Sequence, residues 1–235
     1  MAKKSYFYPT GGLPSQDSIG SGRSIFKTAY AVIPQEVMKD IVVSYFPNWN
    51  LCRAWVLSRP MTGFSETFSQ SIIEICPEGG SKKPESDPRA ECVIFVLDGK
   101  LELTLSNKNY ILTPGSYVFI PPDCNWTIFN HSKEPARLIW IRKIYNVAED
   151  IEKPEPFVKN EKDLKPIPMP DTGGVWSTTR FVDPLDLRHD MHVNIVSIEP
   201  GGVIPFMETH VMEHGIYILQ GKGIYNLNMD SVEVG

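Results

Sequence analysis

The chain has 235 residues, enough for one large domain or two modest ones. Its 42% hydrophobic and 22% charged content is that of a globular protein and excludes wholesale disorder. The net charge of −5, with no cluster among the 23 Lys and Arg, argues against nucleic acid as a partner, and no apolar run is long enough to span a membrane.

The first residues are basic, but Pro9, Gly11 and Gly12 interrupt them before any signal-peptide core forms, so a cytoplasmic location is expected. Cys52, Cys76, Cys92 and Cys124 show no Cys-x-x-Cys spacing and read as buried, reduced thiols rather than a disulfide framework or metal ribbon. The 20 prolines and 17 glycines punctuate the chain densely, which suits many short strands.

Strand-like runs rich in Val, Ile, Phe, Tyr and Trp occur at 29–33, 41–45, 54–57, 71–76, 92–97, 101–105, 117–120, 126–129 and 138–141. Helical character is confined to 35–43, which is short and β-branched. From 149 to 174 charges alternate with Pro154, Pro156, Pro166, Pro168 and Pro170, a composition that reads as an extended linker along a surface. Strand patterning resumes at 193–198, 216–219 and 224–227. The expected organisation is a first β domain over 1–148, the linker over 149–174 and a second β domain over 175–235.

The two halves repeat each other. Gly79, Gly80 and Gly99 recur 122 residues on as Gly201, Gly202 and Gly221, and each closing glycine is followed by Lys and another strand. Gly115 and Gly235 come next.

The second repeat holds the densest chemistry. Glu208 and His210 are two apart, so in an extended segment they point to one face, and a short turn brings His214 opposite them. Two imidazoles and one carboxylate suit Mn²⁺, Fe²⁺, Zn²⁺ or Ni²⁺ with coordination positions left open. Glu213, between the ligands but off their parity, is expected to be solvated. His192 and Asn194 fit pocket lining and packing equally, and no role is expected for His131 or His189.

The frame from Gly202 through Glu208, His210 and His214 to Gly221 resembles the first cupin signature without a gap in spacing. The ligand order is altered, with Glu208 where the first His is expected and His214 where the Glu is expected. Gly115, Pro121, Asp123, Trp126 and Asn130 resemble the second signature in the first half, with Asp123 in place of a glycine and Trp126 in place of a ligand His. Projected through the offset, the site residues fall on Ser86, Pro88 and Cys92, so the first barrel is expected to be metal-free, with Trp126 filling its core. The implied fold is all-β: a bicupin of two jelly-roll barrels, the second incomplete, since the chain stops at the first glycine of that repeat's closing signature and reads as truncated.

Residues 208–227, together with Asp190-Met191-His192-Val193-Asn194, Pro9-Thr10-Gly11-Gly12-Leu13 and Phe64-Ser65-Glu66-Thr67-Phe68, resemble the (S)-ureidoglycine aminohydrolases of purine breakdown over essentially the whole chain. That resemblance implies Mn²⁺ as cofactor and hydrolysis of ureidoglycine to ureidoglycolate and ammonia. It implies Glu208, His210 and His214 as metal ligands, Glu208 as the residue touching both metal and substrate, and Tyr225 as a substrate contact, although a barrel tyrosine fits that position equally. The family's fourth ligand, a glutamine, and a substrate-binding lysine and tyrosine fall beyond Gly235. A homo-oligomer is implied as well. The same three ligands would also serve an iron dioxygenase or a sugar-acid isomerase. A bicupin that binds a small molecule without turnover, or one that acts only as an assembly subunit, also stays open.

Overall fold

The computed structural model describes residues 24–35, 37, 46–60, 65–146 and 148–235. The strand expected at 41–45 and the Pro9 to Leu13 motif lie outside the described residues, as do Phe64 and most of 35–43.

A small hairpin, β1 (Ile25–Phe26) and β2 (Ala31–Val32), comes first. Nine antiparallel strands follow: β3 (Trp49–Ser58), β4 (Phe68–Ser81), β5 (Ala90–Asp98), β6 (Leu101–Leu105), β7 (Lys108–Leu112), β8 (Ser116–Ile120), β9 (Trp126–Phe129), β10 (Ala136–Ile144) and β11 (Phe157–Asn160). They form one sheet in the order β11-β8-β5-β10-β4-β9-β6-β7, with β3 on β4, which rolls into a nearly closed barrel. The second half contains β12 (Ile167–Pro168), β13 (Trp176–Arg180) and β14 (Asn194–Ile198) in one sheet, and the hairpin β15 (Gly223–Leu227) with β16 (Asp230–Val234). The fold is all-β, as the composition predicts.

Side-chain alternation sorts the first barrel into two cores. Along β5, Cys92, Ile94 and Val96 point into the barrel, while Val93, Phe95 and Leu97 point outward. Both sets are buried, because the outer face is covered by Phe181, Met191, Val193, Ile195, Tyr217 and Leu219 of the second half. Tyr117 stacks on Phe181 with ring centroids 4.1 Å apart. Inside the barrel Trp126, 5% exposed, meets Trp49 and Trp140 at centroid distances of 6.4 and 6.2 Å, so it fills core as the sequence predicts.

The repeat is visible in backbone detail. β6 and β7 pair from Leu101↔Leu112 to Leu105↔Lys108; β15 and β16 pair from Gly223↔Val234 to Leu227↔Asp230, the same register 122 residues later. Gly99 and Gly221 enter these hairpins at φ 83° and 84°, a left-handed conformation that glycine adopts without steric cost.

Three differences from the sequence reading stand out. β7 was not expected; its Lys108, Asn109 and Ile111 are exposed, so it lacks the apolar pattern that marks a strand. β11 lies inside the Pro- and charge-rich stretch yet pairs with β8, where Phe157 stacks on Tyr117 and Phe119. Conversely, 216–219 forms no strand. Its counterpart in the first half takes its ladder from β8 and β10. All four cysteines are free thiols; Cys92 is buried, whereas the other three are only partly buried.

Candidate metal and substrate site

The segment that carries the site residues runs from the end of β14 to the start of β15. It begins with a tight turn in which the Gly202 N–H donates to Glu199 O at 2.8 Å, with Gly201 at φ 78°. Phe206 packs against Trp176 of β13 with centroids 5.7 Å apart, so the chain enters Glu208 from a fixed base.

Glu208, His210 and His214 come together beyond that base. Glu208 Oε1 lies 3.4 Å from His210 Nε2, and the His210 and His214 rings are 4.6 Å apart at 64°. Their imidazoles therefore meet edge to face. His210 Nδ1 accepts the Met212 N–H at 3.2 Å, which leaves Nε2 as the ring nitrogen facing Glu208. The His210 side chain is 23% exposed and that of Glu208 63%.

One carboxylate oxygen and two imidazole nitrogens are the donor set a divalent transition ion takes. The 3.4 Å gap between Glu208 and His210 is close to the roughly 3 Å that separates adjacent donors on one ion with bonds near 2.1 Å. In this conformation the three make one polar contact and one ring contact, and among the described residues no group of three His, Cys, Asp or Glu side chains is yet placed to hold an ion. The donors thus suit the ion in kind, with Glu208 exposed enough to turn towards it.

Tyr225 stands on β15 across from Val232, partly buried. Burial and then the negative charge of Glu208 raise its phenol above the usual tyrosine range, so its environment includes the candidate ligand carboxylate. Tyr217, which packs on the first barrel instead, is pushed up to about 12 by burial.

The projected positions in the first barrel carry no such chemistry. Asp123 takes φ 60°, the left-handed conformation that the signature's glycine would supply, so the turn survives while Trp126 fills the ligand place.

Two acidic residues take parts that the sequence reading did not foresee. Glu213 keeps part of its surface in solvent, as expected, but its carboxylate is tied down. It accepts the Thr67 N–H at 2.9 Å, the Thr67 hydroxyl and the Glu66 N–H. Burial opposes its ionisation, but the combined donations of Thr67 and Glu66 outweigh that and hold its carboxyl below the ordinary range. Glu66 and Thr67 belong to the Phe64 to Phe68 motif, which by itself gives no sign of a link to Glu213. Asp190, in the other motif, pairs with Lys143 and accepts the Asn146 N–H at 2.8 Å, tying the approach to β14 onto the first barrel.

The histidines outside the site divide by environment. His189 is buried edge-on against Phe119 at 4.6 Å, and that burial lowers its pKa. His131 stacks on Phe129 at 5.9 Å. His192 and Asn194 are exposed, on the parity opposite to Met191, Val193 and Ile195.

A cupin domain model matches residues 72–142, the strands of the first barrel. The (S)-ureidoglycine aminohydrolase of Escherichia coli strain K12 is 29% identical over 201 residues, covering 86% of this chain and 74% of that protein. Its Arabidopsis thaliana namesake is 28% identical over 216 residues, covering 90% of this chain and 67% of that protein. Among solved structures, a candidate glyoxylate-induced protein of Pseudomonas aeruginosa is 55% identical with a TM-score of 0.88, the match covering 99% of this chain and 85% of that one. The E. coli protein Ylba gives a TM-score of 0.80 at 26% identity, over 94% of this chain and 86% of that one.

Proposed function

We propose a reaction for a chain that belongs to the cupin family of the (S)-ureidoglycine aminohydrolases and is an enzyme: Mn²⁺-dependent hydrolysis of (S)-ureidoglycine to (S)-ureidoglycolate and ammonia. The observation that carries this reading is the approach of Glu208, His210 and His214 within the Gly202 to Gly221 frame, with Tyr225 in the field of Glu208.

In the division we propose, residues 1–148 are a metal-free scaffold, 149–174 a connection and 175–235 the site-bearing barrel. Glu208, His210 and His214 would hold the ion, and Mn²⁺ bound there would supply a Lewis acid for the substrate's donor groups. The reaction breaks the bond from the aminal carbon to its amino nitrogen and forms one to a water oxygen, and the proton that water loses leaves with ammonia. Glu208 carries that proton between water and the departing amine. Tyr225 donates its hydroxyl hydrogen to the substrate and fixes the carbon's orientation.

The same reading places the enzyme in purine and allantoin breakdown, in the cytoplasm, as a homo-oligomer. The net charge of −5 and the scatter of basic residues support a small-molecule substrate without nucleic acid. No helix among the described residues is long and apolar enough to cross a membrane.

Ammonia release from freshly made ureidoglycine, measured with Mn²⁺ and after chelation, tests the proposal. Turnover is expected with Mn²⁺ and its loss on chelation. Release no faster than the spontaneous rate with saturating Mn²⁺ would overturn the assignment.

A further inference from the structure

The site-bearing segment is fastened to the metal-free barrel at one charged point. Glu213 sits between His210 and His214 in sequence, and its carboxylate receives three donors from the turn before β4: the Glu66 N–H, the Thr67 N–H at 2.9 Å and the Thr67 hydroxyl. Two backbone donors on consecutive residues and one hydroxyl fix the carboxylate in position and rotation, which a single contact would not do. Gly215, two residues on, lies so close to the first barrel that a Cβ there would meet the Phe68 ring at 2.9 Å and press on Gln70 Oε1. From Glu213 to Gly215 the segment therefore rests on residues 66–70 of the first barrel. His214 is the residue between.

Residues 205–219 have no ladder; Phe206 rests on Trp176 ahead of the two imidazoles, and Tyr217 and Leu219 pack on the first barrel after them. His210 thus lies between the Phe206 contact and the Glu213 clasp, and His214 adjoins the clasp itself.

We infer that Glu213 is a positioning residue that presets the two imidazoles for metal binding through its grip on Glu66 and Thr67. The inference rests on the reading of Glu208, His210 and His214 as ligands. It gives the metal-free barrel a part in the site: it supplies the clasp, not the ligands. Groups that orient metal ligands without touching the ion commonly set affinity by 10- to 100-fold.

The test uses the full chain with Mn²⁺ alone, its affinity read from the electron paramagnetic resonance signal of the free ion. Glu213→Ala should weaken Mn²⁺ binding at least about 10-fold; Thr67→Val, which removes one of the three donors, should weaken it measurably but less, and the double variant should be no worse than Glu213→Ala, because both act on one clasp. Glu213→Gln, which keeps one acceptor for the backbone N–H groups, should fall between wild type and Glu213→Ala. Amide hydrogen exchange on the metal-free protein supplies a readout independent of the ion: 208–215 should exchange faster in Glu213→Ala, with the first-barrel strands unchanged.

Wild-type Mn²⁺ affinity in both single variants would overturn the clasp and leave the enzyme reading intact. Should wild type bind no Mn²⁺, the ligand assignment falls, and the clasp's role in metal binding falls with it. Additive losses in the double variant would also sink the inference, since they would mean Glu213 and Thr67 act on the site separately.

Discussion

Asp190 sets its carboxylate beside Glu91, a residue of β5 with no exposed surface, at the point where the second half docks on the first barrel. Burial opposes the charge on Asp190, but Glu91 first, then Lys143 and the Asn146 N–H, hold it below its usual range. Glu91 goes the other way: burial, and after it the neighbouring Asp190 carboxylate, push it up to about 9.

A pH dependence follows from that contrast. Between roughly 4.5 and about 9 the folded protein keeps a proton on Glu91 that the unfolded chain has lost, so this residue makes stability fall as pH rises through that window. Asp190 acts oppositely, its contribution present above the usual aspartate range and lost on acidification. Thermal melts of Glu91→Gln should therefore match wild type within about 2 °C at pH 5 and exceed it by several degrees at pH 9. An equal difference at both pH values would mean that Glu91 titrates normally.

The site residues give a graded series. His210→Ala and His214→Ala should abolish Mn²⁺-dependent ammonia release while moving Tm little, since neither ring supports a core. Tyr225→Phe should raise KM by about 10-fold or more, the cost of one hydrogen bond to a charged group. A Tyr225→Phe enzyme with unchanged KM would assign that ring to packing.

Glu74 offers a stability test away from the site. It is 2% exposed and bridges three strands, Arg53 of β3 and Arg137 of β10 each lying 2.6 Å from its carboxylate. Removing it leaves the mostly buried Arg137 with Asp98 at 3.5 Å, while the half-exposed Arg53 turns to solvent, so Glu74→Ala should cost about 2 kcal/mol in denaturant unfolding. A cost below about 1 kcal/mol would show that both arginines reach solvent freely.

Two glycines separate strain from crowding. Gly80, at φ 146°, has the Phe129 Cα 2.8 Å from where a Cβ would stand, whereas Gly201, at φ 78°, has nothing within 4 Å. Gly201→Ala should cost about 1 kcal/mol from backbone conformation alone. Gly80→Ala should cost at least twice that, because backbone must shift. Equal losses on chemical denaturation would place the whole penalty in the dihedral.

Cys52 and Cys92 should resist alkylation of the native protein at pH 8, since burial pushes both thiols up to about 12. Mass spectrometry should find them modified only after unfolding. Rapid native labelling of Cys92 would contradict a filled first barrel.

Much of this molecule could be read from the chain because central strands of its first barrel are continuous apolar runs. The runs at 92–97 and 117–120 are β-branched and aromatic, and both faces are buried, so pattern and structure agree. The order Glu208, His210, His214 was legible for a similar reason: the glycines fix the frame. What escaped were elements stabilised from elsewhere. β7 is an exposed hairpin arm held by its pairing with β6, and β11 is recruited from a proline-rich stretch because Phe157 finds Tyr117 and Phe119. Glu213 escaped because its partners lie 146 and 147 residues away, a distance no local periodicity spans.

The matched hairpins have one more consequence. Leu103 and Tyr225 stand 122 residues apart at the same rung of the same two-strand ladder, Leu103 opposite Tyr110 and Tyr225 opposite Val232. In one copy the side chain is hydrocarbon sealed inside a plug of tryptophans; in the other it is a phenol within the field of a carboxylate. A core hydrocarbon and a phenol facing a carboxylate are thus two dressings of one piece of backbone, and the distance between them at this rung is a single side chain.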